Sequence, residues 1–369
     1  MVKLFERTEI NGLQLSNRFI RAATWEGMAT EEGACTPRLT EHLTRLAGGG
    51  IGLIITSHAY IRTEGQAQPW QLGIYKDDFI DGLREMTRAV HKQGGRIVLQ
   101  LSHAGLMATP RAKDEKPMAL SLVEGYAKAP LREMTGDDIH GLVDAFAMAA
   151  RRAKEAGFDG VEIHVAHGYL LSQSLSPLFN RRRDDYGGSL ENRARFALEV
   201  LQAVRGAVAP DYPVLVKLNS QDFLEGGLTL EDSLQVGALL EEGGIDAIEL
   251  SGGTFFSKEL APARKGISTE EKEAYFRDAA KSFKEKLNVP LILVGGIRSF
   301  PVAEKLVSEG FADYISMCRP LIREPDLVKR WERGDTRKAE CLSDLQCSGA
   351  AWAGDGIHCV VEKKLMEKK

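Results

Sequence analysis

The stretch "VEIHVAHGYLLSQSLSPLFNRRRDDYGG" (161–188) opens as an apolar strand and then delivers His164 and His167, three residues apart, before Gly168, Tyr169 and a run rich in Arg and Asp. Two imidazoles at that spacing can both donate N–H to one oxygen atom, or both ligate a metal ion. As plain loop histidines they would be satisfied by nearby backbone instead. A second cluster lies towards the end of the chain, where Gly295-Gly296 follow "LILV" and Arg319 follows "ADYISMC". Glycine lets backbone approach an anion closely, and Arg offers a bidentate partner, so the two together suit a phosphate. A Gly-Gly on its own is more often a tight turn.

Both clusters need strands to place them. Short apolar runs occupy 18–23, 51–56, 96–101, 160–165, 213–218, 246–250, 290–294 and 312–317, and amphipathic stretches such as 78–95 and 138–157 separate them. Gly157 is the stop of the latter. Eight strand–helix units predict an α/β fold with a parallel sheet buried on both faces, closed as a single (β/α)8 TIM barrel over residues 1–335. Residues 336–369 differ in character, as a short Cys-containing C-terminal tail. Strand side chains alternate between faces. That alternation turns Val161, Ile163 and Val165 outward and Glu162 and His164 inward. It likewise turns Val98 and Gln100 inward on the third strand and Lys217 inward on the fifth. Three strands thus send polar groups inward near their C-terminal ends, the rim that carries chemistry in such barrels. Gly295, Gly296 and Arg319 fall in the loops after strands seven and eight, where phosphate sites form.

Composition narrows the function classes. Lys plus Arg number 48 against 52 Asp plus Glu, a net charge of −4, so no basic excess points to nucleic acid or an anionic membrane. No apolar run approaches the roughly 18 residues of a membrane span. The opening "MVKLFERTEINGLQLSNRF" is charged and has no apolar core, so no signal peptide is expected. An odd count of five cysteines then suggests reduced thiols and a cytoplasmic location. The sequence does not fix the oligomeric state and allows a homo-oligomer.

The block "HGYLLSQSLSPLFNRRRDDYGGSLENRARF" (167–196) closely resembles the signature loop of the Old Yellow Enzyme family of FMN-dependent NADH:flavin oxidoreductases and ene-reductases. Further matches in the same order are "NRFIRAATWEGMA" (17–29), "GLIIT" (52–56), "LQLSHAG" (99–105) and "LVGGIRS" (293–299). In detail the chain is similar to the barrel domain of 2,4-dienoyl-CoA reductases. The resemblance implies the same barrel, bound FMN, and NADH or NADPH as hydride donor. It implies that His164 and His167 hydrogen-bond the oxygen of an activating group on the substrate and that Tyr169 lies over the substrate as a proton donor. Gln100 then bonds the flavin ring, Lys217 supplies the cation near its N1 and O2, and Gly295, Gly296 and Arg319 cradle the FMN phosphate. Ala23, Thr24 and Trp25 align with the segment lining the flavin edge, where relatives often carry Thr or Cys in place of Trp25. Cys318 stands where glycine is common in the phosphate loop.

The expected function is therefore NAD(P)H-dependent reduction of the activated C=C bond of a small enone or enal, with no nucleic-acid or membrane partner. The rivals are a metal-dependent hydrolase on the same fold, using His103, His164, His167 and Glu162, and a flavin-binding protein without turnover. Larger relatives hold an iron–sulfur cluster on four closely spaced cysteines after the barrel. Here Cys341, Asp344, Cys347 and Cys359 occupy that region. Asp344 replaces a thiolate, so a degenerate, metal-free tail is expected.

Overall fold

The structure, a computed structural model, describes residues 3–111, 115–127 and 129–367. Eight strands form one closed barrel: β1 (Phe19–Arg21), β2 (Leu53–Tyr60), β3 (Ile97–Ser102), β4 (Gly160–Val165), β5 (Val214–Asn219), β6 (Ala247–Ser251), β7 (Leu291–Leu293) and β8 (Tyr314–Met317). Each pairs in parallel with its sequence neighbours, and β8 closes on β1. All eight expected strands are present. Parallel neighbours require crossovers, and helices supply them on the outer face. The helix expected at 138–157 runs Gly136–Glu155, opened by a Thr135/Asp138 capping box and stopped at Gly157, whose φ is +83°.

Two apolar layers sit on either side of the sheet. Outward residues such as Leu99, Ile163, Val165, Val216 and Leu218 join the large core beneath the helices. Inward Ile20, Leu53, Ile55, Val98, Leu215, Ala247 and Ile292 form a separate plug. Ile10 and Leu15, from an N-terminal hairpin that turns at Asn11-Gly12, close the plug at the bottom of the barrel. With its lower end filled by hydrocarbon, the barrel has only its C-terminal mouth free for polar side chains.

β2 is longer than the apolar run 51–56 suggests, and it is irregular. Ile55 pairs with Val98 and His58 with Gln100, so three steps on β2 match two on β3. This β-bulge shifts the alternation by one residue. His58, rather than Ser57, consequently shares the inward face.

Residues beyond 338 pack on the rim of the mouth. Arg298 donates to Ala339 O, Gly266 N–H donates to Ser343 O, and Ile357 N–H donates to Glu26 O. Trp352 packs on Trp25 with ring centroids 4.8 Å apart. Among the described residues no helix is long and apolar enough to cross a membrane.

Candidate active site

The floor of the mouth is a buried polar layer above the apolar plug. Lys217 and Glu249 are register partners on β5 and β6, with Nζ 2.6 Å from Oε2. Ser316 Oγ donates to the other oxygen of Glu249 at 2.6 Å. Gln100 Nε2 donates to Glu162 Oε2 at 2.5 Å, and Glu162 Oε1 is buried without a partner. One cation therefore serves two buried carboxyl groups. Burial, then the Glu249 charge, pushes the Glu162 carboxyl well above the ordinary range. Burial alone would lower Lys217, but the attraction of Glu249 and Glu162 outweighs it and leaves the ammonium more basic than usual.

Above this floor stands the histidine pair. The rings of His164 and His167 are perpendicular, with centroids 5.2 Å apart, and Tyr169 lies 4.9 Å from His164. His167 adopts φ +64°, in the left-handed region. Its N–H donates to Asn219 Oδ1 and its Nε2 lies 2.8 Å from Ser251 Oγ, which hold it there. His164 Nδ1 accepts from Ala166 N–H at 3.3 Å. Burial, followed by neighbouring positive charge, drives both imidazoles well below their usual pKa. A neutral ring whose Nδ1 accepts must carry its proton on Nε2, so His164 presents a donor.

The sequence reading missed three residues of the site, His58 and Gln68 in this wall and Glu249 in the floor. His58 lies 5.3 Å from Tyr169 and 6.2 Å from His164, ring to ring. Gln68 bonds both His58 and Tyr169. Glu249 is inward by the same alternation that exposed Lys217, so the signal for it was present. His58 left no such signal, because the bulge reverses the pattern ahead of it.

A cavity opens beside the pair, bounded by Ala22, Ala23, Lys217, His167, Gly296, Cys318 and Arg319. Seven residues from β1, the β4 loop, β5, the β7 turn and the end of β8 thus meet at one place, most of them named from sequence. Gln100, His164 and Tyr169 stand next to the cavity rather than in its wall. Thr24 is turned to Ala22 O and Cys318 Sγ, and Trp25 to Pro69 O and Trp352. Ser343, from the tail, also borders the cavity.

The cavity fits a flat mononucleotide. At one end Gly295 and Gly296 have φ of +140° and +74°. A Cβ on Gly296 would come within 2.7 Å of Tyr275 Cε1, so the turn has no room for a side chain there. The other end has Lys217 beneath it and mostly apolar walls. The metal-site rival lacks the geometry: His103 spends Nδ1 on Gly105 N–H. Among the described residues no three His, Cys, Asp or Glu side chains gather as metal ligands do.

Comparison with known proteins bears on the family and the fold. Residues 3–338 match the model of the NADH:flavin oxidoreductase / NADH oxidase family. An NADH oxidase of Thermoanaerobacter brockii is 36% identical over 94% of this chain and 53% of its own length. A 4,4'-dithiodibutanoate disulfide reductase of Rhodococcus erythropolis is 31% identical over 99% of this chain and 96% of its own. The chain thus spans about half the length of the first relative and nearly all of the second. The solved old yellow enzyme homologue from Zymomonas mobilis superposes with a TM-score of 0.78 at 28% identity, covering 91% of this chain and 94% of that one. With its barrel, its mononucleotide cavity and its matches all in accord, the chain belongs to the NADH:flavin oxidoreductase / NADH oxidase family, the FMN-dependent, NAD(P)H-using oxidoreductases that include Old Yellow Enzyme.

Proposed function

We propose that this chain reduces the activated C=C bond of small α,β-unsaturated carbonyl compounds at the expense of NADH or NADPH. The observation that carries the reading is the neutral pair His164/His167 set over the cavity that Lys217 floors. FMN, when bound in this cavity, would supply the hydride chemistry.

The protein's own groups do the rest. His164 donates from Nε2 to the substrate carbonyl oxygen. Ser251 can donate to His167 Nε2, which leaves the proton of that ring on Nδ1 as the second donor. Two donors on one oxygen draw charge from the double bond and bind more strongly as negative charge grows there. Being neutral, they do so without releasing a proton. Tyr169, pushed up to about 12 by burial, remains a phenol at neutral pH and can protonate the α-carbon. Lys217 fixes positive charge at the floor, which favours an anionic ring there. Gly295, Gly296 and Arg319 serve as the phosphate cradle, and Gln100 as the hydrogen-bonding partner of the ring. Ala23 and Cys318 would line its edge, with Thr24 bonded to Cys318.

The test is anaerobic. Holoenzyme reduced with NADH or NADPH is mixed with 2-cyclohexen-1-one, and flavin reoxidation with equimolar cyclohexanone is expected. Reoxidation by oxygen alone, with no member of an enone and enal panel reacting, would overturn the reading.

A further inference from the structure

We propose that His58 and Gln68 are positioning residues that hold the phenolic oxygen of Tyr169 as an acceptor and thereby turn its one proton towards the substrate. The proposal rests on the reading of Tyr169 as proton donor. Three side chains meet in a closed triangle. Gln68 Oε1 is 2.8 Å from His58 Nε2, Gln68 Nε2 donates to Tyr169 Oη at 3.0 Å, and Oη is 3.2 Å from His58 Nε2.

The donor and acceptor inventory settles the directions. An amide NH₂ only donates and an amide oxygen only accepts. With the Gln68 NH₂ on Tyr169, its oxygen faces His58, so Nε2 of His58 must carry the ring proton. Burial drives His58 down to about 4, so the ring is neutral and Nδ1 has no proton. Oη then receives hydrogen bonds from Gln68 and, more weakly, from His58. Its own proton is spent on neither. The reverse arrangement, with Gln68 Oε1 on Oη and His58 Nε2 accepting, would consume that proton and leave Tyr169 unable to donate without first breaking a bond.

The same two donors suit the product of the step. As the α-carbon gains its C–H bond, the Tyr169 O–H bond breaks and a phenolate remains. Gln68 N–H already points at that oxygen, with the His58 Nε2–H shared between it and Gln68 Oε1, and preorganised donors act most strongly on developing charge. Water entering as product leaves returns the proton. The stabilisation opposes burial: Gln68 pulls the phenol pKa down where desolvation raises it.

The first test is independent of turnover. In ¹⁵N-histidine-labelled, FMN-loaded, oxidised enzyme, with the His58 signals assigned by their loss in His58→Gln, the Nε2–H tautomer is expected. An Nδ1–H tautomer with unprotonated Nε2 overturns the proposal, whether or not enones are substrates. The second test is a cycle. Gln68→Leu should slow enone-dependent reoxidation about tenfold or more, part of the full 10²–10⁴ of general-acid catalysis, and raise the solvent isotope effect. Reduction by NAD(P)H should be unchanged. In a Tyr169→Phe background the same substitution should add nothing. Equal slowing in both backgrounds would mean that Gln68 acts on something other than Tyr169. If Gln68→Leu fails to fold, Gln68→Glu replaces it, since a carboxylate accepts from Tyr169 and should trap the proton with the same loss.

Discussion

Lys217 Nζ lies 2.6 Å from Glu249 Oε2, and the two residues are register partners in the middle of the barrel. Glu162, on the strand beyond Lys217, supplies a second carboxyl group that the same cation attracts. Both carboxyls face the one cation, so removing either alone leaves the other as counter-ion. Glu162→Gln should cost little and Glu249→Gln only moderately more. The double variant strands a buried ammonium and should lose about 3–5 kcal/mol, more than the sum of the singles. Because the folded-state pKa of Glu162 is raised, its contribution is whole below the ordinary carboxylate range and drains as pH rises towards the folded value. Glu162→Gln should therefore gain on the parent as pH climbs. Urea denaturation of the apoprotein at several pH values measures both effects, and additive singles would contradict the shared counter-ion role.

His42 gives a pH dependence away from the site. Its Nε2 is enclosed without a partner, and burial followed by Arg21, Arg45 and Arg38 lowers it to about 3. For a base with a depressed folded pKa, the stability is present above the unfolded value, about 6.5, and is lost as pH falls towards the folded one. His42→Gln removes that loss. Between about pH 6 and 4 its unfolding free energy should fall less steeply, by up to about 1.4 kcal/mol per pH unit. Parallel slopes for parent and variant would contradict the enclosure.

Much of the fold and part of the site were legible in the sequence, for physical reasons that can be named. Strands covered on both faces must be short apolar runs, so all eight could be read directly. Period-two alternation then put Gln100, Glu162, His164 and Lys217 inward. It failed at His58, because the bulge between Ile55 and His58 inserts a residue and swaps faces. Gln68 sits in an irregular loop where no periodicity exists to read. The placement of the tail was likewise hidden: the contacts of Trp352 with Trp25 and of Ser343 with the cavity join positions about 300 apart and close together, respectively, only in three dimensions.

The tail carries its own expectation. Cys341, Asp344, Cys347 and Cys359 line one small cavity together with Arg319 and Arg323. Burial pushes the Cys341 and Cys347 thiols up, Cys347 to about 12. With Asp344 in place of a fourth thiol, protein purified without oxygen should contain far less than one iron per chain and no acid-labile sulfide. About four irons per chain would contradict this.

The central claim is that His164 and His167 hold the substrate oxygen, and stopped-flow kinetics of the two half-reactions of His167→Ala test it most directly. The variant should keep its flavin and still be reduced by NADH or NADPH. Its reoxidation by 2-cyclohexen-1-one should slow by about 10²–10³, the usual loss for one donor to a developing oxyanion, while reoxidation by oxygen changes little. Equal slowing with enone and with oxygen would contradict the account, because the histidine would then be supporting the flavin rather than the substrate.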